Sequence, residues 1–184
     1  MRATGIVRRV DDLGRIVIPK EIRRTLKIRE GAPLEVFTDR EGSVILRKYS
    51  PVGEMGNDAA ACAEALHKTV GCLTLVCDRD TVVAAAGSGR RGYMEKPVSA
   101  AVDQWMANRS TVQADTRTAA VPAPLIQGEE AQGYTAQTAV PVISAGETVG
   151  IVILASREAN ARMGEAELKC AQAAAAFLGR QAEV

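Results

Sequence analysis

Along the first fifty residues, apolar and charged positions alternate without sorting into two faces. In TGIVRRV, Thr4–Val10, an extended chain places Ile6, Arg8 and Val10 on one side and Val7 and Arg9 on the other. Both sides mix aliphatic and cationic groups, so this strand has no clean inward face. DDLG, Asp11–Gly14, reads as a turn, with Asp to open it and Gly14 free to adopt positive φ. RIVI, Arg15–Ile18, is a second short β-branched strand, and Pro19 stands where a first helical residue needs no N–H. The helix that follows is expected to reach about Lys27, with Ile22 and Leu26 one turn apart as a narrow apolar seam. PLEVFT and SVILRK then form a hairpin around Asp39–Gly42.

A unit this small, with both faces of its first strand mixed, cannot bury enough surface to stand alone. The pattern therefore predicts an intertwined homodimer in which each chain's strands complete the other's sheet.

YSPVGEMGND follows, with Pro51, Gly53 and Gly56 breaking regular structure, and predicts a linker over residues 51–56. Beyond it the pattern alternates between helical and extended periods. DAAACAEALHKTV is helical, GCLTLVCD and DTVVAAAG are strands, and SAAVDQWMANR is helical again. An irregular stretch from Ser110 to Gln132 holds Pro122, Pro124 and Gly128. YTAQTAVPVIS and ETVGIVILAS return as strands around a turn at Ala145–Gly146, and a last helix runs from about Gly164 to Gln181. This order predicts an α+β domain, one antiparallel sheet with helices packed on it. In the last helix Leu168, Ala171, Ala175 and Leu178 lie in one line, which suits either a dimer seam or packing on the domain's own sheet.

Charge sharpens this division. Residues 1–50 hold 12 Lys and Arg against 7 Asp and Glu, a net of +5, and the other 134 residues hold 11 against 15, a net of −4. A basic head on a mildly acidic body points to a polyanion-binding module joined to something else. The excess is concentrated in RIVIPKEIRRTLKI, where Lys20, Arg24 and Lys27 follow i, i+4, i+7 with Arg23 beside them. Crowded like charges repel by a few tenths of a kcal/mol per pair, about 0.2–0.5. A solvated face would tolerate that; a phosphate-tracking surface would use it. Arginine outnumbers lysine here, and its planar fork suits phosphate and guanine edges.

The remaining chemistry is sparse. No apolar run approaches the ~20 residues that cross a bilayer, and MRATGIVRRV has no signal-peptide h-region, so a cytoplasmic protein is expected. Cys62, Cys72, Cys77 and Cys170 form no C-x-x-C pair, and His67 is the single histidine, which leaves no basis for a zinc site. On a common strand Cys72 and Cys77 point to opposite faces about 17 Å apart, so a redox pair is disfavoured and no catalytic residue is assigned. GSGRRG, Gly87–Gly92, satisfies G-x-G-x-x-G after a strand, but no helix opens at it and no βαβ crossover follows.

The run from Thr4 to Pro51, TGIVRRVDDLGRIVIPKEIRRTLKIREGAPLEVFTDREGSVILRKYSP, resembles the swapped-hairpin DNA-binding domain of AbrB-type transition-state regulators. The chain as a whole resembles regulators that join such a head to a GAF-like sensor domain, through LTLVCDRD, VVAAAGSG, VGIVIL and MGEAELKCAQAAAAFLGRQ. The resemblance implies a mixed α+β protein. Residues 1–50 would form a swapped-hairpin β-barrel dimer, and residues 57–184 a GAF-like antiparallel sheet packed by helices. It implies double-stranded DNA as partner, gripped by Arg8, Arg15, Arg23 and Arg24, with Arg9 and Lys20 as supporting phosphate contacts. It further implies a nucleoid-associated regulator of forespore genes, both activating and repressing, that forms homodimers through the head and tetramers through the second domain. No cofactor is implied beyond an unidentified small-molecule ligand of the GAF-like domain. An antitoxin with an AbrB-type head is the nearer alternative, disfavoured by the long second domain. A cysteine redox enzyme of GAF type is the remote one.

Overall fold

In the computed structural model, residues 4–116, 120–129 and 133–183 are described. The chain divides into two units, Met1–Tyr49 and Ser50–Val184.

The first unit contains one helix, α1 (Lys20–Thr25), and one hairpin, β1 (Leu34–Thr38) with β2 (Val44–Lys48). β1 and β2 pair antiparallel with Phe37 opposite Ile45 and Glu35 opposite Arg47, and the Arg47 guanidinium lies 4.9 Å from the Phe37 ring centre. The turn joining them is built on Asp39. Its Oδ1 accepts the N–H groups of Glu41 (3.0 Å) and Ser43 (2.8 Å), while Gly42 takes φ 82°. The turn at Asp11 is constructed the same way. Asp11 Oδ1 accepts from Leu13 (3.0 Å) and Arg15 (2.7 Å), Gly14 takes φ 75°, and the Asp11 N–H donates to the Arg15 carbonyl at 3.0 Å.

The outcome around the two turns differs. The arms of the Asp39 turn ladder into β1 and β2, whereas Thr4–Val10 and Arg15–Ile18, expected as strands, form no strand among the described residues. The reason is the mixed-face pattern: within one chain these arms have no apolar surface on which to seat one face. No described residue of 4–49 is buried, and eleven large apolar side chains are exposed, among them Val7 (85%), Val17 (71%) and Leu13 (68%).

The second unit is a five-stranded antiparallel sheet in the order β4-β3-β7-β6-β5. Its strands are β3 (Leu73–Cys77), β4 (Val82–Ala86), β5 (Val112–Asp115), β6 (Ala136–Ser144) and β7 (Glu147–Ser156). Both faces are covered, so the central strands read as continuous apolar runs rather than alternating ones. Val152 and Leu154 of β7 face one layer, with Val76, Val140, Ala63, Leu66, Ala171 and Leu178. Ile151 and Ile153 face the other, with Leu75, Val102, Met106 and Leu125. The first layer is roofed by α2 (Pro51–Glu54), α3 (Gly56–Val70) and α5 (Glu165–Gln181); the second by α4 (Ala100–Ala107) and the segments around it.

Small residues set how close the helices ride. A side chain at Gly179 of α5 would run into the carbonyl oxygen of Ile143, and one at Gly150 of β7 into that of Cys77. Only glycine permits either approach. The line of Leu168, Ala171, Ala175 and Leu178 is consumed here: Ala171, Ala175 and Leu178 are buried on the chain's own sheet, and Leu168 packs against them. The turn expected at Ala145–Gly146 joins β6 and β7 with both residues left-handed, φ 47° and 79°, the type I′ signature of a tight hairpin.

Two expectations need correction. Pro51–Glu54 is helical rather than a linker, capped by Ser50, whose Oγ accepts the Gly53 N–H and donates to Asp78 Oδ2 at 2.8 Å. Val52 is fully buried against the sheet. The irregular stretch from Ser110 also contains β5, an edge strand paired only with β6. Residues 117–119 and 130–132 of that stretch lie outside the described residues.

Candidate nucleic-acid interface

The six cations singled out from the sequence all lie in the first unit, on the two arms of the Asp11 turn and on α1. Arg8 and Arg9 are exposed on the first arm, and Arg15 is exposed at the start of the second. Lys20 opens α1, with Arg23 and Arg24 in its last turn, close to the carbonyl end where cations are favoured. Lys20 and Arg24 are exposed; Arg23 is half-buried, and its Nε is shielded from solvent with no hydrogen-bond partner. A buried donor left unsatisfied is costly, and it gains most when an acceptor arrives.

Arg15 is held by a carboxylate. Its Nε donates to Asp11 Oδ2 at 2.9 Å, so the same carboxylate that shapes the turn holds the guanidinium. The Arg15 backbone N–H, helped by its side chain and the Leu13 N–H, keeps the Asp11 carboxyl below its ordinary range. Asp39 is held low in the same way by Ser43.

α1 ends earlier than expected. Lys27 is outside it, in the left-handed region at φ 53°. The Ile28 N–H donates to the Arg23 carbonyl (2.7 Å) and the Lys27 N–H to that of Arg24 (3.3 Å), a Schellman ending. Lys27 therefore leaves the cationic stripe that Lys20, Arg23 and Arg24 share.

In the second unit Cys72 and Cys77 lie on opposite faces of the sheet, as expected, while Cys62 and Cys170 are only partly buried. Cys72 packs toward the α3–α5 layer and Cys77 toward the α4 layer. Burial pushes the Cys72 thiol up to about 11 and the Cys77 thiol higher still. Neither is a thiolate at neutral pH. The GSGRRG stretch is a loop: Gly87 and Gly89 are left-handed, Arg90–Gly92 is a single 3-10 turn, and α4 opens only at Ala100. Arg90 approaches Glu64 of α3 at 4.0 Å. Among the described residues no group of His, Cys, Asp and Glu could hold a metal ion, and no helix is long and apolar enough to cross a membrane.

Sequence reasoning missed a polar cluster on the α4 side. Tyr93 and Tyr134, both buried, approach at 2.6 Å between their hydroxyl oxygens. Tyr134 donates to Glu129 Oε1 at 2.7 Å, and Arg157 Nη2 donates to the same oxygen at 2.7 Å and to Tyr93 Oη at 3.1 Å. The Arg157 guanidinium lies 4.7 Å from the Tyr134 ring centre. Burial raises the Tyr134 pKa, so its hydroxyl stays protonated and donating. An apolar groove of about 460 Å³ also runs between α3 and α5, lined by Cys62, Leu66, Cys170 and Phe177, with Phe177 48% exposed.

Comparison with known proteins follows the same division. Residues 54–183 match the family described as stage V sporulation protein T C-terminal, transcription factor, and residues 7–54 match antidote-toxin recognition MazE, bacterial antitoxin. Stage V sporulation protein T of Bacillus subtilis (strain 168) is 46% identical over 186 residues, covering 100% of this chain and 99% of that protein. The transition state regulatory protein AbrB of the same organism is 52% identical over 64 residues, 32% of this chain and 66% of its own length. Among solved structures, the GAF domain of Acinetobacter phosphoenolpyruvate-protein phosphotransferase superposes with a TM-score of 0.54 at 12% identity, covering 71% of this chain and 87% of that one. The type II free methionine-R-sulfoxide reductase of Thermoplasma acidophilum gives 0.55 at 12%, covering 71% and 94%. At such identity these two likenesses establish a GAF-like fold and nothing of activity. With near-complete mutual coverage by one relative and a family match across most of its length, the chain belongs to the stage V sporulation protein T family.

Proposed function

We propose that this chain is a DNA-binding transcriptional regulator of sporulation genes. It grips duplex DNA in the cytoplasm as a homodimer formed through its first unit. Arg8, Arg15, Arg23 and Arg24 make the principal contacts, and Arg9 and Lys20 hold phosphates. The observation that carries this reading is a unit with a net charge of +5, no buried described residue and eleven exposed large apolar side chains. Such a unit needs a second copy for its core and a polyanion for its charge.

The second unit acts as the sensing and association block. Its groove between α3 and α5, with Phe177 exposed, suits a helix-to-helix contact that turns dimers into tetramers. A small ligand bound in the GAF-like fold changes that geometry, and with it the spacing of the heads on DNA.

Gel-shift titration of the full chain tests the interface. With about eight phosphates engaged by a dimer, log K falls with log salt at a slope of roughly −7. Arg23→Ala with Arg24→Ala lowers affinity while the circular dichroism spectrum is unchanged; unaltered binding by that double variant discards the surface. The match of residues 7–54 to an antitoxin family supports a second reading, an antitoxin head. Stoichiometric capture of a co-purifying toxin by the tagged chain would favour it over the regulator.

A further inference from the structure

The cluster of Tyr93, Tyr134 and Arg157 has the design of a receptor for one carboxylate. Four donors converge on the two oxygens of Glu129. Oε1 takes Tyr134 Oη (2.7 Å) and Arg157 Nη2 (2.7 Å), with the Tyr93 hydroxyl donating to Tyr134 Oη at 2.6 Å behind them; Oε2 takes the backbone N–H groups of Leu125 (2.8 Å) and Ile126 (3.5 Å). The side-chain donors stand on firm ground: Arg157 directly follows β7, Tyr134 stands two residues before β6, and Tyr93 follows the 3-10 turn.

The acceptor does not. Glu129 lies in an irregular segment that also has ties to the fold not made through its carboxylate. Gln137 pairs with Ala123 through both amide atoms (2.9 and 2.6 Å), and Ser99 Oγ donates to the Pro124 carbonyl at 2.6 Å. Leu125 is fully buried beneath that segment. An ion pair with one partner half exposed to solvent adds little to stability by itself. The Arg157 side chain is 56% exposed, which gives the cluster an opening to solvent, while the Glu129 side chain is 11% exposed within it.

We propose that this cluster is a ligand site for a small carboxylate, occupied by the chain's own Glu129 until an external acid replaces it. The proposal rests on the reading of the second unit as a sensor and gives its ligand a chemical class. Carboxylate is favoured over phosphate because the donors address two oxygens in a fork; a tetrahedral anion would bring further oxygens without donors. The tethered Glu129 competes at an effective concentration on the order of millimolar, so the free acid binds only in proportion to the open fraction.

The test uses the full chain with acetate, propionate and succinate as probes and inorganic phosphate at matched ionic strength as comparison. Glu129→Ala lowers the melting midpoint of the second unit, and the three acids restore it. The unsubstituted chain responds only at concentrations about tenfold higher or more, as expected for a tethered competitor. Adding Arg157→Met to Glu129→Ala abolishes the restoration. Acids that act on Glu129→Ala no more than phosphate, or equally on the double variant, overturn the proposal. Should Glu129→Ala fail to fold, Glu129→Gln, which keeps the volume, is judged by the same two criteria. DNA binding is recorded in the same samples. Restoration without a change in DNA affinity upholds the site and removes its signalling role. No restoration with DNA binding intact overturns the site and leaves the DNA-binding reading standing.

Discussion

Asp11 holds Arg15 at two points, the backbone N–H at 2.7 Å through Oδ1 and the side-chain Nε at 2.9 Å through Oδ2. One carboxylate thus fixes both the turn and the direction of a cation proposed to meet DNA. Asp11→Asn keeps an oxygen for the two backbone donors and removes the negative partner of Nε. Expected is an intact turn with a freed Arg15 guanidinium, seen by NMR as loss of the distinct Arg15 Nε–H resonance. A persistent, shifted resonance would show that Asp11 does not orient it.

The same carboxylate fixes the sign of an acid response. Asp11 and Asp39 both titrate below the ordinary aspartate value of 3.8 in the folded chain. Their contribution is therefore complete above 3.8 and disappears as pH falls through the lower folded values. Acid titration followed by circular dichroism is expected to show the first unit weakening below that pH. The double variant Asp11→Asn, Asp39→Asn should have a flatter profile there.

Lys27 holds a left-handed conformation that costs a side-chain-bearing residue about 1 kcal/mol or more. Lys27→Gly should stabilise the first unit by roughly 1 kcal/mol, because the Schellman ending of α1 requires this geometry and glycine adopts it freely. Denaturant titration of the full chain checks this through the first unit's transition.

Gly179 places α5 directly over the Ile143 carbonyl. Gly179→Ala gains helix propensity yet forces the helix off β6, and a net loss of about 1–3 kcal/mol is expected from overpacking. A lower melting midpoint for the second unit, with DNA binding at low temperature unchanged, is the result to look for. A midpoint at or above that of the unsubstituted chain would mean the helix shifts without cost.

The thiols at the two ends of β3, Cys72 just before it and Cys77 at its close, should be inert. Cys77 is fully buried and Cys72 is pushed up to about 11, on opposite faces of the sheet. With a thiol reagent at neutral pH, Cys77 labels only on unfolding and Cys72 labels slowly, its rate climbing toward pH 11. No disulfide joins the two under oxidant while the fold is intact.

How much of this was written in the chain depends on where each residue's partners lie. The β6–β7 hairpin was legible because Ala145–Gly146 and the flanking apolar runs are local. The stripe of Lys20, Arg23 and Arg24 was legible from helical spacing alone. α2 was missed although Ser50 and Pro51 obey the rule applied at Pro19: proline begins a helix as readily as it breaks a strand. β5 was missed because four residues with one neighbouring strand carry little periodicity. The arms around Asp11 have strand sequence and a hairpin turn, yet laddering needs a surface that one chain lacks. Tyr93, Glu129, Tyr134 and Arg157 come together only through the tertiary fold, and no spacing announces them.

In the proposed homodimer, a head without an interior makes recognition a second-order event. At scarce supply, the population of complete grips grows with the square of chain number, so a modest rise in synthesis yields a disproportionate rise in occupied operators. An unmated head presents Val7, Leu13 and Val17 to solvent. Under the proposed dimerisation, dosage is a regulatory input in its own right, alongside any ligand.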